Sequence, residues 1–160
     1  MEQQNVHLKI VGIKQVAFEI DESIESLDTT MIGINFEQAM NINIKESKME
    51  LILTFRFFIQ GKPEKDFLKI KTSNSFFIQE LKSFLTDKEN IYNFPDTLLA
   101  TVLGLSISHT LALLAQCTQG TKFDGFYIPM FNPNELAKNY LQIILNNLER
   151  NRTLDRNRIE

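Results

Sequence analysis

The residues best suited to nucleophilic or acid–base chemistry do not form a recognisable catalytic set. His7 and His109 are far apart in the chain, and Cys117 is the single cysteine. Ser108 precedes His109 directly, but adjacent residues of a helix do not face each other, so they are not a nucleophile–base pair. One thiol supplies one metal ligand and no internal disulfide. We interpret His109 and Cys117 as buried or interface residues.

Phosphate and metal sites are also poorly represented. The six glycines are scattered singly, so the sequence has no glycine-rich phosphate loop. A short acidic segment contains Asp21, Glu22, Glu25 and Asp28. These acids are not a specific signal for a metal site, and we interpret the segment as a solvated turn. We therefore expect no enzymatic activity, no metal and no cofactor.

Length and composition are typical of one globular domain. A chain of 160 residues buries roughly 70% of its unfolded surface without a disulfide or metal. The net charge of −3 argues against nucleic acid as the main partner. Residues 1–6 lack the basic and apolar segments of a signal peptide. With one cysteine, this predicts a cytoplasmic protein with a single domain over residues 1–151 and a polar tail over 152–160.

Apolar residues alternate with period two through the first half, which is typical of half-buried strands. We predict strands over residues 6–20, 32–45, 49–59 and 66–79. In the first, Leu8, Ile10, Val16, Phe18 and Ile20 are expected on one face, with a bulge near Gly12–Ile13. The short links between such strands predict a four-stranded antiparallel sheet, a meander with one solvated face.

The second half predicts two helices. The first begins near Phe94-Pro95-Asp96 and ends near Cys117, with Gly120 beyond it. Residues 98–115 approach the length of a membrane span, but they include polar side chains and no Lys/Arg cluster flanks them. We therefore expect a helix buried on nearly all sides. Residues 80–93 receive no assignment beyond a short helical turn, and a second helix is expected over 134–151. The predicted class is α+β.

The first helix is uncharged on all sides, which predicts an oligomer. Its broad apolar side suits a sheet. The opposite stripe consists of small residues, namely Thr101, Gly104, Ser108, Ala112 and Ala115. We expect this stripe to meet another subunit at close range. The alternative is that the second helix of the same chain covers it.

This order of elements resembles the SecB family of protein-export chaperones. Residues 13–19, IKQVAFE, are similar to a family stretch that ends in Ser-Phe-Glu, and Phe94-Pro95 resembles the Phe-Pro that opens its first helix. Residues 126–136, FYIPMFNPNEL, are similar to the family's Pro-Val-Asn-Phe-Asp-Ala-Leu, with one extra residue before Asn132. Tyr140-Leu141-Gln142 matches Tyr-Leu-Gln in its second helix. The resemblance covers about residues 6–148.

The resemblance implies a homotetramer, a dimer of dimers whose long helices lie between two sheets. It implies that unfolded polypeptide clients bind in grooves between the second helix, the preceding loop and the second strand, without nucleotide or metal. The residues placed in such a groove are Phe36, Met40, Phe126, Tyr127, Met130, Phe131, Leu136 and Tyr140. Ordinary core packing is the alternative for each of them, and it is favoured for Phe36.

The charges of the sheet depart from the family pattern. SecB docks the SecA motor through an acidic sheet face. The corresponding face here carries Lys9, Asn35, Asn41, Asn43, Lys45, Arg56, Lys69 and Lys71, with Glu19, Glu37 and Glu50 as its main acids. This puts docking to SecA in doubt and raises a second hypothesis, a SecB-like chaperone dedicated to the antitoxin of a toxin–antitoxin system. Two other hypotheses are an oligomeric interaction protein without client-holding activity and a small-molecule binder.

Overall fold

The four long strands and two helices predicted from the sequence are present in the computed structural model. The structure describes residues 7–24, 28–86, 91–129 and 131–139. The long elements are β1 (Leu8–Ile20), β2 (Ile32–Asn43), β3 (Lys48–Ile59), β4 (Lys62–Ile78) and α1 (Asp96–Thr118). A second helix, α2, occupies residues 133–139 at the end of the described chain. The remainder of the helix predicted over 134–151, like the 152–160 tail, lies outside the described residues.

The four strands form one antiparallel sheet in the order β1-β4-β3-β2. Tight turns join β2 to β3 and β3 to β4, which makes a three-stranded meander. β1 pairs with β4 rather than with its neighbour in sequence. The connection between β1 and β2 therefore carries the chain from one sheet edge to the other, as in a Greek key. β1 and β2 are the two edge strands.

β1 contains two bulges, one more than expected. Its register against β4 shifts between Ile10 and Gly12, close to the predicted position, and again between Gln15 and Ala17. Each bulge adds one residue and reverses the faces of the residues that follow. Val16 falls at the second bulge and is 53% exposed. The prediction that Val16 shares a buried face with Leu8 and Phe18 is therefore wrong.

The hydrophobic core lies between α1 and the inner faces of the central strands. The fully buried strand residues include Met49, Leu51, Leu53, Phe55, Leu68, Ile70, Phe76 and Ile78. They meet Leu98, Leu99, Val102, Leu103 and Leu114 of α1. The helix packs mainly against β3, β4 and β1. The inner face of β2 must therefore be covered by other parts of the chain.

Between β4 and α1, the described residues form a turn of 3-10 helix and a small two-stranded sheet. Leu81–Phe84 is a turn of 3-10 helix, and the short strands β5 (Leu85–Thr86) and β6 (Ile91–Tyr92) pair antiparallel. Pro95 occupies the N-cap of α1, and Asp96 lies in its first turn. The predicted start of the helix is confirmed. A carboxylate at this end is favourable because the helix N-terminus carries partial positive charge.

A polar seam, made of Thr72, Asn74, Ser106, His109 and Thr110, lies between α1 and β4. The Thr72 and Thr110 hydroxyls are 2.7 Å apart, and Nδ1 of His109 is 2.9 Å from Oδ1 of Asn74. Thr110 also donates to the Ser106 carbonyl. These directional bonds fix the position of α1 along the sheet, which apolar contacts alone do not. The contact with Asn74 gives the His109 imidazole a hydrogen-bond partner, which agrees with its interpretation as a buried packing residue.

The acidic segment after β1 is a locally bonded turn within its described part. Asp21 accepts hydrogen bonds from Ser23 and pairs with Lys65 at 2.8 Å. These contacts, that of Lys65 foremost, hold the pKa of the Asp21 carboxyl well below its usual range. Asp28 caps the 3-10 turn Thr29–Met31. Glu25 lies outside the described residues. Within the described ranges, no three His, Cys, Asp or Glu side chains are grouped so that they could hold a metal ion.

The buried hydroxyl of Ser106 is expected to destabilise the fold. Its Oγ is buried and finds no hydrogen-bond partner among the described residues, and an unsatisfied buried group costs about 1–3 kcal/mol. We expect Ser106→Ala to raise the free energy of unfolding by about 1–2 kcal/mol, measured by urea denaturation. Ser108→Ala is the control, because Ser108 is exposed on the same helix. Equal gains from the two changes would contradict this account.

His109 is expected to make stability depend on pH. Burial lowers the pKa of its imidazole below the ordinary 6.5. Between the two pKa values the unfolded chain therefore binds more protons than the folded one. We expect the free energy of unfolding to fall as the pH is lowered through 6.5 towards the folded-state pKa, and His109→Gln to remove this slope. His7→Gln, at an exposed histidine, is the control and should leave the slope in place.

Candidate functional site

The small-residue stripe of α1 is mostly uncovered in the single chain. Thr101, Ser108, Ala112 and Ala115 are exposed. Gly104 is half-buried, and a Cβ built on it would lie 3.4 Å from Cγ of Pro133. At Gly104 the contact therefore comes from the start of α2, the alternative left open by the sequence. The other four positions remain available to another subunit.

Helix α1 also has the length and composition of a candidate membrane span. In the most apolar 18-residue window, 44% of the residues are buried inside the fold. The buried side includes Ser106, Thr110 and Thr118, and on this side Thr110 contacts Thr72 of β4. The uncharged character of this helix therefore arises partly from packing within the chain.

Four aromatic rings anchor the loop that follows α1 to the inner face of the sheet. Phe123 stacks on Phe67 with ring centroids 5.5 Å apart. Phe126 makes edge contacts with Phe57, Phe67 and Phe123 at 6.0, 5.8 and 5.5 Å. Aromatic pairs of this kind each contribute about 0.5–1.5 kcal/mol beyond the area that they bury. The loop is thus held against β3 and β4.

A second aromatic group holds the start of α2 over β2. Phe131 stacks against Phe36 at 5.4 Å and lies 5.9 Å from Phe55. Phe36 also stacks on Phe55, its partner across the β2–β3 pair, at 4.7 Å. In the single chain, Phe36 and Phe131 therefore pack α2 against the sheet.

Next to the first aromatic group the loop leaves an open, mostly apolar cavity of about 230 Å³ beside β2. Its walls are Ile32, Ile34, Phe57, Gly125, Phe126, Tyr127 and Pro129. Gly125 has φ of +84°, a conformation that glycine adopts without strain, and it turns the chain so that Tyr127 projects outward, 71% exposed. The volume is below the roughly 300–1,000 Å³ of typical small-molecule pockets. The cavity suits one or two apolar side chains better than a cofactor.

The predicted groove residues are partly brought together at this site. Phe126 and Tyr127 line the cavity, while Phe36 and Phe131 lie beside it in the aromatic packing. Met40 and Leu136 are half-buried against the core. Met130 and Tyr140 lie outside the described residues. Sequence reasoning missed Ile32, Ile34, Phe57, Gly125 and Pro129, although Gly125 and Pro129 stand in the loop as turn signals.

One polar side chain interrupts the apolar row on the inner face of β2. Gln38 lies between Phe36 and Met40 on this face, opposite Leu53 of β3. Its Oε1 is buried and has no hydrogen-bond partner among the described residues. This acceptor lies inside the row and is not exposed to solvent.

The solvated face of the sheet carries acids that are already paired. Arg56 lies 3.4 Å from Glu37, and Lys69 lies 2.7 Å from Glu19. Asn41 and Ser73 donate to Glu50 and lower the pKa of its carboxyl. Cations therefore balance Glu37 and Glu19, whereas Glu50 keeps its negative charge between neutral donors.

The chain combines a four-stranded antiparallel sheet, a long helix and a half-covered apolar face. No protein-family model matches the chain, and no curated protein is significantly similar to it in sequence. Among solved structures, it is similar to the Rv1957 SecB-like chaperone of Mycobacterium tuberculosis in complex with a ChAD peptide from the Rv1956 HigA1 antitoxin. The TM-score is 0.51 with 11% identity, over 78% of this chain and 89% of that chain. At this identity the likeness establishes the fold.

Proposed function

We propose that this protein is a non-enzymatic chaperone that holds unfolded polypeptide segments at the cavity beside β2. The observation that carries the proposal is the cavity itself, apolar, open to solvent and bounded by an exposed tyrosine and a half-covered strand. Flat aromatic and branched aliphatic walls accept many different apolar side chains. The Rv1957 structure, which has a similar fold, contains a bound antitoxin peptide, and this supports polypeptide as the class of ligand.

Of the two client types, we favour an antitoxin over exported preproteins. The bound peptide in the Rv1957 structure comes from an antitoxin. On the outer sheet face, Glu37 and Glu19 are paired with Arg56 and Lys69, whereas Glu50 stays ionised between neutral donors. Such a face complements an electropositive docking partner poorly. A chaperone dedicated to one cytoplasmic client requires no docking to SecA, so export is the second candidate.

Substitution of Tyr127 should impair client binding without changing the stability of the fold. This side chain is 71% exposed, so Tyr127→Asp is expected to leave the free energy of unfolding within about 0.5 kcal/mol. A bound apolar segment would have to cover the introduced carboxylate and remove its water, which should weaken binding of a permanently unfolded polypeptide at least about tenfold. The measurement is suppression of aggregation together with titration of the labelled polypeptide.

Phe77→Asp is the matched control, because Phe77 is another exposed aromatic residue, on the opposite face of the sheet. It should retain binding. If Tyr127→Asp holds the polypeptide as well as the parent protein, the cavity is not the client site.

We further propose that the chain is a homotetramer assembled through the exposed side of α1. Ala112→Arg with Ala115→Arg places charge on this side without touching the buried seam. The expected light-scattering mass is four times 18.6 kDa for the parent protein and a smaller species for the double variant. Ser83→Arg, at an exposed position before the helix, is the control. An unchanged mass for the double variant would contradict assembly through α1.

A further inference from the structure

The outer face of the sheet, opposite α1 and the cavity, carries more positive than negative charge. The strand registers identify its side chains, because residues paired across strands share a face and alternate with the buried ones. The cations of this face in the described chain are Lys9, Lys14, Lys48, Arg56, Lys69 and Lys71. Its acids there are Glu19, Glu37, Glu50 and Asp66. Since the whole chain has a net charge of −3, positive charge is concentrated on this face.

Two lysines of the outer face are left without an acidic partner. Arg56 and Lys69 are already in ion pairs. In contrast, Lys14 and Lys71 form no ion pair with any residue that the structure describes. Glu50 is the one acid of this face that has no ion pair among the described residues, and its carboxylate is held by neutral donors. The outer face therefore retains positive charge that a partner can neutralise.

Lys14 and Lys71 are close neighbours on this face and are surrounded by small side chains. Lys14 lies opposite Ser73 of β4, and Lys71 lies between Ala17 of β1 and Thr54 of β3. The two lysines are therefore diagonal neighbours across the β1–β4 pair, with Cβ atoms about 7–8 Å apart. Because their direct neighbours are short, the backbone of a partner can come close enough for two of its carboxylates to reach both ammonium groups.

We propose that the outer face of the sheet docks an acidic polypeptide segment of a partner protein, through carboxylates bound by Lys14 and Lys71. This surface lies on the opposite side of the sheet from the cavity, so the partner would bind without displacing a client. A nucleic acid fits less well, because Glu19, Glu37 and Glu50 interrupt the cations and would repel a continuous row of phosphates. Carboxylates placed at intervals along a polypeptide can meet the lysines and avoid these acids.

Titration of the full-length protein with a labelled acidic peptide at low salt tests the proposal. The probe alternates Glu with Ser over about eight residues, which is long enough to cross the four strands. We expect it to bind, and to bind more weakly as salt is added, because salt screens exposed ion pairs. Lys14→Gln with Lys71→Gln should weaken binding about tenfold, whereas Glu50→Gln should strengthen it about twofold to fivefold by removing a repulsive charge.

Lys82→Gln with Lys138→Gln is the matched control, because it removes the same charge from two exposed lysines outside the outer face. This variant should bind the peptide like the parent protein. Equal losses in the two double variants would mean that overall charge alone attracts the peptide, and would overturn the proposal. Failure of the peptide to bind, or tighter binding of an oligothymidylate of the same length, would also overturn it. Client holding at the cavity is measured separately by suppression of aggregation, which Lys14→Gln with Lys71→Gln should leave unchanged.

Discussion

The structure depends on a mismatch between the width of the sheet and the width of the helix that covers it. Four strands spaced about 4.8 Å apart make a sheet about 19 Å wide, whereas a helix with its side chains is about 10–12 Å across. The polar seam fixes α1 over β4, with Thr72 bonded to Thr110 and Asn74 to His109. The inner face of β2 therefore lies beyond the reach of α1. The loop and α2 cover it incompletely, and the open cavity is the result.

The loop over β2 is held by aromatic rings rather than by regular secondary structure. Phe123 and Phe126 attach it to β3 and β4, and Phe131 attaches the start of α2 to Phe36. A cavity bounded by anchored rings exists before a ligand arrives, so a bound chain spends less free energy on ordering the site. Tyr127 differs from these phenylalanines, because its ring projects into solvent.

The similarity to the Rv1957 structure concerns the fold and does not extend to the side chains of the site. With 11% identity, very few side chains are shared, yet the alternation of the strands and the order of the elements produce the same architecture. Function depends on the details of the site. Here those details are an apolar cavity beside the edge strand β2, and a solvated face whose acids are paired with cations and amides. These details support the proposal of polypeptide holding rather than docking through an acidic surface.

The sequence by itself determined the elements, because strand and helix periodicity and the signal at Phe94-Pro95-Asp96 are local properties of the chain. It also placed Phe126 and Tyr127 in the candidate site, through their loop and its resemblance to the SecB pattern. Tertiary structure alone decided that β1 lies beside β4, that Val16 leaves the buried row, and that Ile32, Ile34 and Phe57 line the cavity. It also decided that α1 turns Ser106 and Thr110 toward the sheet. The physical reason is that these outcomes depend on contacts between distant segments, and a pattern of residue types does not specify which distant partner each face will meet.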